Sequence, residues 1–205
     1  MSSAKGAANL RSRTRDAVRE RIADEALILF DQQGFDATTV EDIVVAVGIS
    51  PRSFFRYFPS KEDVVVGDPL FAGAQLRDEV AKLLRGGFAP WPALTRALRA
   101  GAADVDSDSD RWLRVMRVVN GASSLRARNL EKHIAWSALL VPLLSGVDSL
   151  TSGLNALQAR ALVGAAFACL DAALATWTEL GGESAFIDTL EHAFEAVSYS
   201  ATIAE

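Results

Sequence analysis

The sequence predicts an all-α protein: an N-terminal three-helix helix-turn-helix domain, then a C-terminal helical domain, about nine helices in all. Three observations carry this. Apolar residues recur at spacings of three and four almost throughout, alternating strand patterns are nearly absent, and Gly, Pro, Ser and Asp gather between the periodic stretches. Half of the 205 residues are hydrophobic, enough to bury a core without disulfide or metal staples.

The first helix is expected from about Arg13 to Gln33, with Val18, Ile22, Ala26, Leu29 and Phe30 along one stripe and Gly34 closing it. Residues 1–12 before it read as a flexible basic arm. Thr39 then offers an N-cap to a short second helix, with Asp42 three residues on as a weak capping box and Ile43, Val44 and Val47 as the apolar face. Gly48 ends that helix. Ser50 caps a third, Pro51 occupies its first position, where a missing N–H costs nothing, and Ile49 and Phe54 have the spacing of a hydrophobic staple. Pro59 stops the third helix, and Ser60-Lys61-Glu62-Asp63 opens a fourth that reaches Arg85 before Gly86-Gly87.

Two short helices joined by a tight Gly-Ile-Ser turn after a longer supporting helix match a helix-turn-helix over about 39–58, whose second short helix enters the DNA major groove. At about 100° per residue from Phe54, Phe58 lies at about 40°, while Arg52 and Arg56 lie at about 160° and 200°. The aromatic pair therefore faces inward and the arginines face the groove, flanked by the Ser53 hydroxyl and the apolar ring of Phe55. Thr39 and Lys61, at or beside helix N-termini, stand where backbone N–H groups and the positive dipole end favour phosphate.

A formal net charge of −5 is unusual for a DNA binder, but its distribution removes the objection. Residues 1–62 hold nine Lys/Arg and nine Asp/Glu, so the acidity lies entirely in the remainder. Six of those nine bases precede Ile22, where an arm can reach phosphates or remain a solvated tail.

The segments Thr38-Thr39-Val40-Glu41-Asp42-Ile43, Gly48-Ile49-Ser50 and Phe55-Arg56-Tyr57-Phe58-Pro59-Ser60-Lys61-Glu62 resemble the N-terminal domain of TetR-family regulators, a likeness covering residues 13–65. The resemblance implies a helix-turn-helix at 39–58, base or phosphate contacts from Arg52, Ser53, Phe55, Arg56 and Tyr57, and a phosphate-binding role for Lys61. One departure stands out: Phe55 occupies a place where the family most often has a tyrosine whose hydroxyl reaches a phosphate. Tyr57 either supplies a hydroxyl instead or stacks on the first helix.

Farther on, helices are expected near 91–103, 110–122, 124–144, 154–180 and 184–198, with domains at 13–60 and 61–205. The stretch 104–110, rich in aspartate, reads as a solvated loop; it lacks the turn glycine and distal glutamate of a calcium loop. Gly164, Ala168, Ala172 and Ala175 form a small-residue stripe, and Phe186, Leu190, Phe194 and Val197 an apolar face on the last helix. Both stripes suit either packing within one chain or a four-helix bundle between two. The resemblance implies the second: a homodimer whose reader heads meet half-sites about 34 to 36 Å apart, or a multiple, on a palindromic operator of double-stranded DNA.

The resemblance also implies a pocket for a small-molecule effector in the C-terminal helices, whose filling releases DNA. Trp112, Met116, Trp136, Leu140 and Phe167 suit an apolar lining or ordinary core, and His133 either orients a polar ligand group or lies at the surface. With two histidines, His133 and His192, one cysteine, Cys169, and no Gly-rich phosphate loop or nucleophile motif, the chain carries no constellation for metal, nucleotide or nucleophilic chemistry. No cofactor and no enzymatic activity are expected. The run Ala161–Trp177 is broken by Asp171 and reads as a buried helix, not a membrane span, and the polar start lacks a secretion signal, so a cytoplasmic protein is expected. The competing reading is a helical small-molecule-binding or enzyme domain with a merely structural helix-turn-helix.

Overall fold

The computed structural model describes residues 2–67, 69–145 and 153–202, and the side chains of these other than 2–13, 69–71 and 199–202. Among the described residues the chain is helical without strands: α1 (Ser2–Gln33), α2 (Val40–Val47), α3 (Pro51–Tyr57), α4 (Glu62–Val66), α5 (Pro69–Arg85), α6 (Pro90–Ser107), α7 (Ser109–Gly121), α8 (Ser123–Ser145), α9 (Ala156–Glu179) and α10 (Phe186–Thr202). They form two compact units, Met1–Gly67 with Arg117–Arg126, and Asp68–Met116 with Ala127–Glu205.

In the first unit, Ile22, Ala26 and Phe30 of α1 are buried as their spacing requires, with Leu27 beside them. Ile43, Val44 and Val47 of α2, which packs on α1, and Phe54 of α3, which packs on α2, are buried as well, so the three helices close one small core. α1 starts at Ser2, not Arg13, so residues 2–12 of the arm expected at 1–12 are drawn into the helix. Ala4, Ala7, Ala8 and Leu10 are strong helix formers and no proline interrupts them. The side chains of Lys5, Arg11 and Arg13 lie outside the described residues.

The single helix expected from Ser60 to Arg85 is two. Gly67 adopts φ 75°, a left-handed value that a residue with a Cβ resists, and Pro69 begins α5 two residues later. The first unit accordingly ends at Gly67 and keeps α4, whereas the sequence suggested a boundary at 60. Residues 117–126 also belong to it: Arg117 makes a two-pronged contact with Asp31 of α1, Nε to Oδ1 and Nη2 to Oδ2, each 3.1 Å.

In the second unit, α9, α10 and α6 pack together and α5 lies along α6. Trp177, Phe186, Leu190 and Phe194 are almost wholly buried among Leu94, Leu140, Val163 and Ala166. This corrects one expectation: Phe186, Leu190 and Phe194 are core residues of the single chain, at 1%, 0% and 1% exposure, and so cannot present a dimer face. The rings confirm it, with Trp177 edge-on to Phe186 at 5.7 Å and Trp91 edge-on to Phe194 at 5.9 Å.

The acidic stretch expected as a loop at 104–110 is helical on both sides of Asp108. Tertiary contact explains it. The Asp106 carboxylate accepts the backbone N–H groups of Phe186 and Ile187 at 2.6 and 3.2 Å, placing a negative charge at the positive end of α10. By length and composition α9 could cross a membrane; its Val163, Ala166, Phe167, Ala173 and Trp177 face is instead packed into the core.

Candidate nucleic-acid interface and effector groove

The reader helix is fixed by local chemistry. Ser50, extended at φ −83° and ψ 155°, accepts the Ser53 N–H with its hydroxyl at 3.2 Å, and Pro51 stands at the first helical position. Before it, Gly48 at φ 76° closes α2, its N–H reaching the carbonyls of Val44 and Val45 while Ile49 N–H returns to Val44 at 3.0 Å. Phe54 is fully buried and Phe58 is 2% exposed, their rings 5.8 Å apart, with the Arg19 guanidinium over Phe58 at 4.9 Å. α3 is therefore pinned along its inner side.

What remains outward is the predicted face: Arg52 and Arg56 are exposed, and Phe55 is 55% exposed. Ser53 is half-buried, its hydroxyl 3.0 Å from that of Ser50. Arg56 leans onto Tyr57, its guanidinium 5.1 Å from the ring centroid and Nη2 donating to the phenol oxygen at 3.4 Å. A guanidinium resting on an aromatic plane loses rotamer freedom before it meets any ligand. Val45 of α2, 81% exposed, is an apolar surface residue of this unit that pattern reading passes over, because only its neighbours fit the buried stripe.

At the start of α2, Thr39 and Asp42 form a full capping box: Asp42 N–H donates to the Thr39 hydroxyl at 3.2 Å, and Asp42 Oδ2 accepts the Thr39 N–H at 2.8 Å and its O–H at 2.7 Å. The Thr39 hydroxyl holds the Asp42 carboxyl below the ordinary carboxylate range, with help from the Thr39 backbone N–H. Lys61 does not point outward. Its ammonium donates to the carbonyls of Phe35 at 2.8 Å and Thr38 at 3.1 Å and sits 4.3 Å from the Phe35 ring centroid.

In the second unit, three of the six residues expected to contact a ligand come together. His133 of α8 stacks on Phe167 of α9 at 4.8 Å and 12°, and Trp136 lies 5.8 Å from Phe167 and 5.9 Å from His133. The other three do not join them: Leu140 is fully buried core, Trp112 packs half-buried against that core, and Met116 is half-buried on α7. His133 Nδ1 stands 3.4 Å from Asp171 Oδ2, and Lys132 lies 5.1 Å from the Trp136 ring centroid. Burial lowers the Lys132 pKa from its ordinary value, opposed by the charge of Asp171.

His133 and Phe167 also line an open groove of about 680 Å³ between α8 and α9, with Leu130, Ile134, Arg160, Gly164, Ala168 and Asp171. Arg160 and Asp171 are groove residues that the sequence does not link to α8: three turns apart on one helix, they give no periodic signal for it. Gly164, Ala168, Ala172 and Ala175, the small-residue stripe, are all exposed along α9.

Three comparisons bear on this arrangement. The family model described as bacterial regulatory proteins, tetR family, matches residues 22–66. The HTH-type transcriptional regulator TcmR of Streptomyces glaucescens is 32% identical over 148 residues, 68% of this chain and 65% of its own length, so the chain spans just under two thirds of that relative. Thermus thermophilus FadR, a TetR-family transcriptional repressor solved with lauroyl-CoA, is 26% identical with a TM-score of 0.52, over 86% of this chain and 91% of FadR. NalD of Pseudomonas aeruginosa, the secondary repressor of the MexAB-OprM multidrug efflux pump, shares the fold at a TM-score of 0.61 and 18% identity, over 88% of this chain and 95% of NalD.

Proposed function

We propose that this chain, which belongs to the TetR family of bacterial transcriptional regulators, is a cytoplasmic repressor that binds a palindromic operator as a homodimer and releases it when a small apolar or amphipathic ligand fills its C-terminal unit. The observation that carries the reading is α3: Phe54 and Phe58 bury its inner side and leave Arg52, Phe55 and Arg56 outward. Arginine pairs bidentately with guanine in the major groove, and Phe55 provides an apolar surface for a thymine methyl. Ser53 and Tyr57 flank this face, and the N-terminus of α2 at Thr39 sets register through phosphate.

The homodimer rests on α9. Gly164, Ala168, Ala172 and Ala175 are small and exposed, so a second α9 can approach closely along them, closing over the side of the α8–α9 groove that Gly164 and Ala168 line. Since Phe186, Leu190 and Phe194 are committed to the core, α10 contributes through its outer side only. The effector reading rests on the His133, Trp136 and Phe167 rings, a largely apolar wall with one imidazole. FadR, solved with lauroyl-CoA, is consistent with an amphipathic ligand.

Selection of duplexes from a random-sequence library tests the operator-binding reading: recovery of an inverted repeat with half-sites about one helical turn apart, or a multiple, is expected, and recovery of no preferred sequence defeats it. Sedimentation tests the dimer separately. Ala168→Glu should leave a folded monomer, and a variant that stays dimeric moves the interface off α9.

A further inference from the structure

The outer face of α9 carries more than the four small residues of its stripe. Leu157 is 76% exposed, Arg160 and Ala161 are exposed, and the Asp171 side chain keeps half its surface. At about 100° per residue these positions and the stripe share one arc of about 120°. Arg160 and Asp171 lie along one edge of it, Ala161 and Ala172 along the other, and Leu157, Gly164, Ala168 and Ala175 run between them.

Two of these residues have no explanation within the chain. Among the described residues Arg160 makes no ion pair and no side-chain hydrogen bond. A glycine inside a helix weakens it relative to alanine, yet a Cβ at Gly164 would meet no atom beyond its own helical neighbours within 4 Å. Close approach of another backbone supplies the missing reason.

The order of residues along the face decides how two copies fit. In a two-fold pair of antiparallel helices, residues equally far before and after the axis meet, and each edge meets the same edge of the partner. An axis near position 166 sets Gly164 against the partner's Ala168 and Leu157 against the partner's Ala175. On one edge Ala161 meets the partner's Ala172, and on the other Arg160 meets the partner's Asp171. Every pair then joins a large residue to a small one, two small ones, or opposite charges. A parallel pair would set each edge against the opposite edge, and neither charge would find its opposite. Arg160 and Asp171 stand about 8 Å along the helix from the axis, within mutual reach where two helices cross near +20°. Asp171 Oδ2 lies 3.4 Å from His133 Nδ1 of its own chain, and a carboxylate has room for further donors.

We infer that a second copy docks antiparallel on this face about an axis near residue 166, and that Arg160 and Asp171 pair reciprocally across it, two charge contacts that fix register and orientation. This rests on the homodimer reading above and adds the residues that choose the partner's placement.

Sedimentation over a concentration series, with helicity checked by circular dichroism, compares the wild type, Arg160→Asp, Asp171→Arg and an equimolar mixture of the two variants. Each variant carries a single sign at both positions and should dimerise at least about tenfold more weakly, since like charges face each other twice. In the mixture both contacts join opposite charges, so mixed dimers, followed by a fluorescent label on one variant, should form with near wild-type affinity. A wild-type dimer whose Arg160→Asp variant dimerises as tightly overturns the pairing, and so does a mixture that forms no mixed dimer. Should Asp171→Arg not fold, Arg160→Ala and Asp171→Asn replace the mixture: their combined loss should not exceed the larger single loss, and additive losses overturn the pairing. Wild-type protein that stays monomeric at every concentration defeats the homodimer reading itself, and the pairing with it.

Discussion

α3 and α9 are both helices whose outer faces carry the proposed function, yet they are specified in opposite ways. α3 has seven residues, and most of its neighbourhood acts locally, with Ser50 capping the helix, Pro51 starting it, and Phe54 and Phe58 anchoring it. α9 has 24 residues and one broad periodic pattern. Local rules leave α3 a single orientation, so its outward side can be named from the sequence. Periodicity tells α9 and α10 only that a face must be covered, and a face is satisfied equally by the same chain or by another.

The sharpest way to break that comparison lies in α10. Phe194, a candidate by its spacing for the surface between subunits, is 1% exposed in the chain's own core and meets Trp91 edge-on. Phe194→Ala should cost about 3 to 5 kcal/mol, read as a large fall in the denaturation midpoint with an unchanged m-value. A stable, monomeric variant would return Phe194 to the interface and show that α10 was mistaken for core. Ala168→Glu on α9 should give the reverse pattern, with fold retained and dimer lost.

A smaller effect is expected at α3. Arg52→Ala and Arg56→Ala should each cost about 1 to 3 kcal/mol on the preferred duplex, and relax selectivity at a single position. Melting temperatures should hardly move, since both side chains are exposed and neither belongs to the inner side. Equal losses on preferred and scrambled duplexes would demote the two arginines from base reading to phosphate contact.

The same contrast sets how much is legible in the sequence. The Thr39–Asp42 box, the Gly48 turn and the Ser50 cap involve partners within five residues, so their chemistry is written where it acts. What escapes is tertiary. Asp106 looks like part of a solvated loop because its partners, the Phe186 and Ile187 N–H groups, are 80 and 81 residues away. The inward partners of Lys61 escape in the same way, since the carbonyls that hold it are 23 and 26 residues back. The break at Gly67 is legible, since Gly-Asp-Pro is a strong stop, but the continuing apolar period on either side outweighs it. His133, Trp136 and Phe167 can be named individually; only the packing of α8 on α9 makes them a cluster.

The smallest effect probes the local side of the comparison through pH. Asp42 is held below its ordinary pKa chiefly by the Thr39 hydroxyl, then by the Thr39 N–H, so the capping box favours the ionised carboxylate. A carboxyl whose folded pKa lies below its unfolded value stabilises the fold above the unfolded value, about 3.9, and loses that contribution as the pH falls through the folded value. Asp42→Ala should therefore melt below the wild type at about pH 6, and the gap should narrow steadily on acidification past about pH 4. A gap that stays constant would mean that the aspartate's charge is irrelevant and that only the Thr39 hydroxyl caps α2. Because the group is exposed, added salt should shrink the gap at neutral pH without removing it, as the Thr39 N–H and O–H bonds to the carboxylate persist when long-range charge effects are screened.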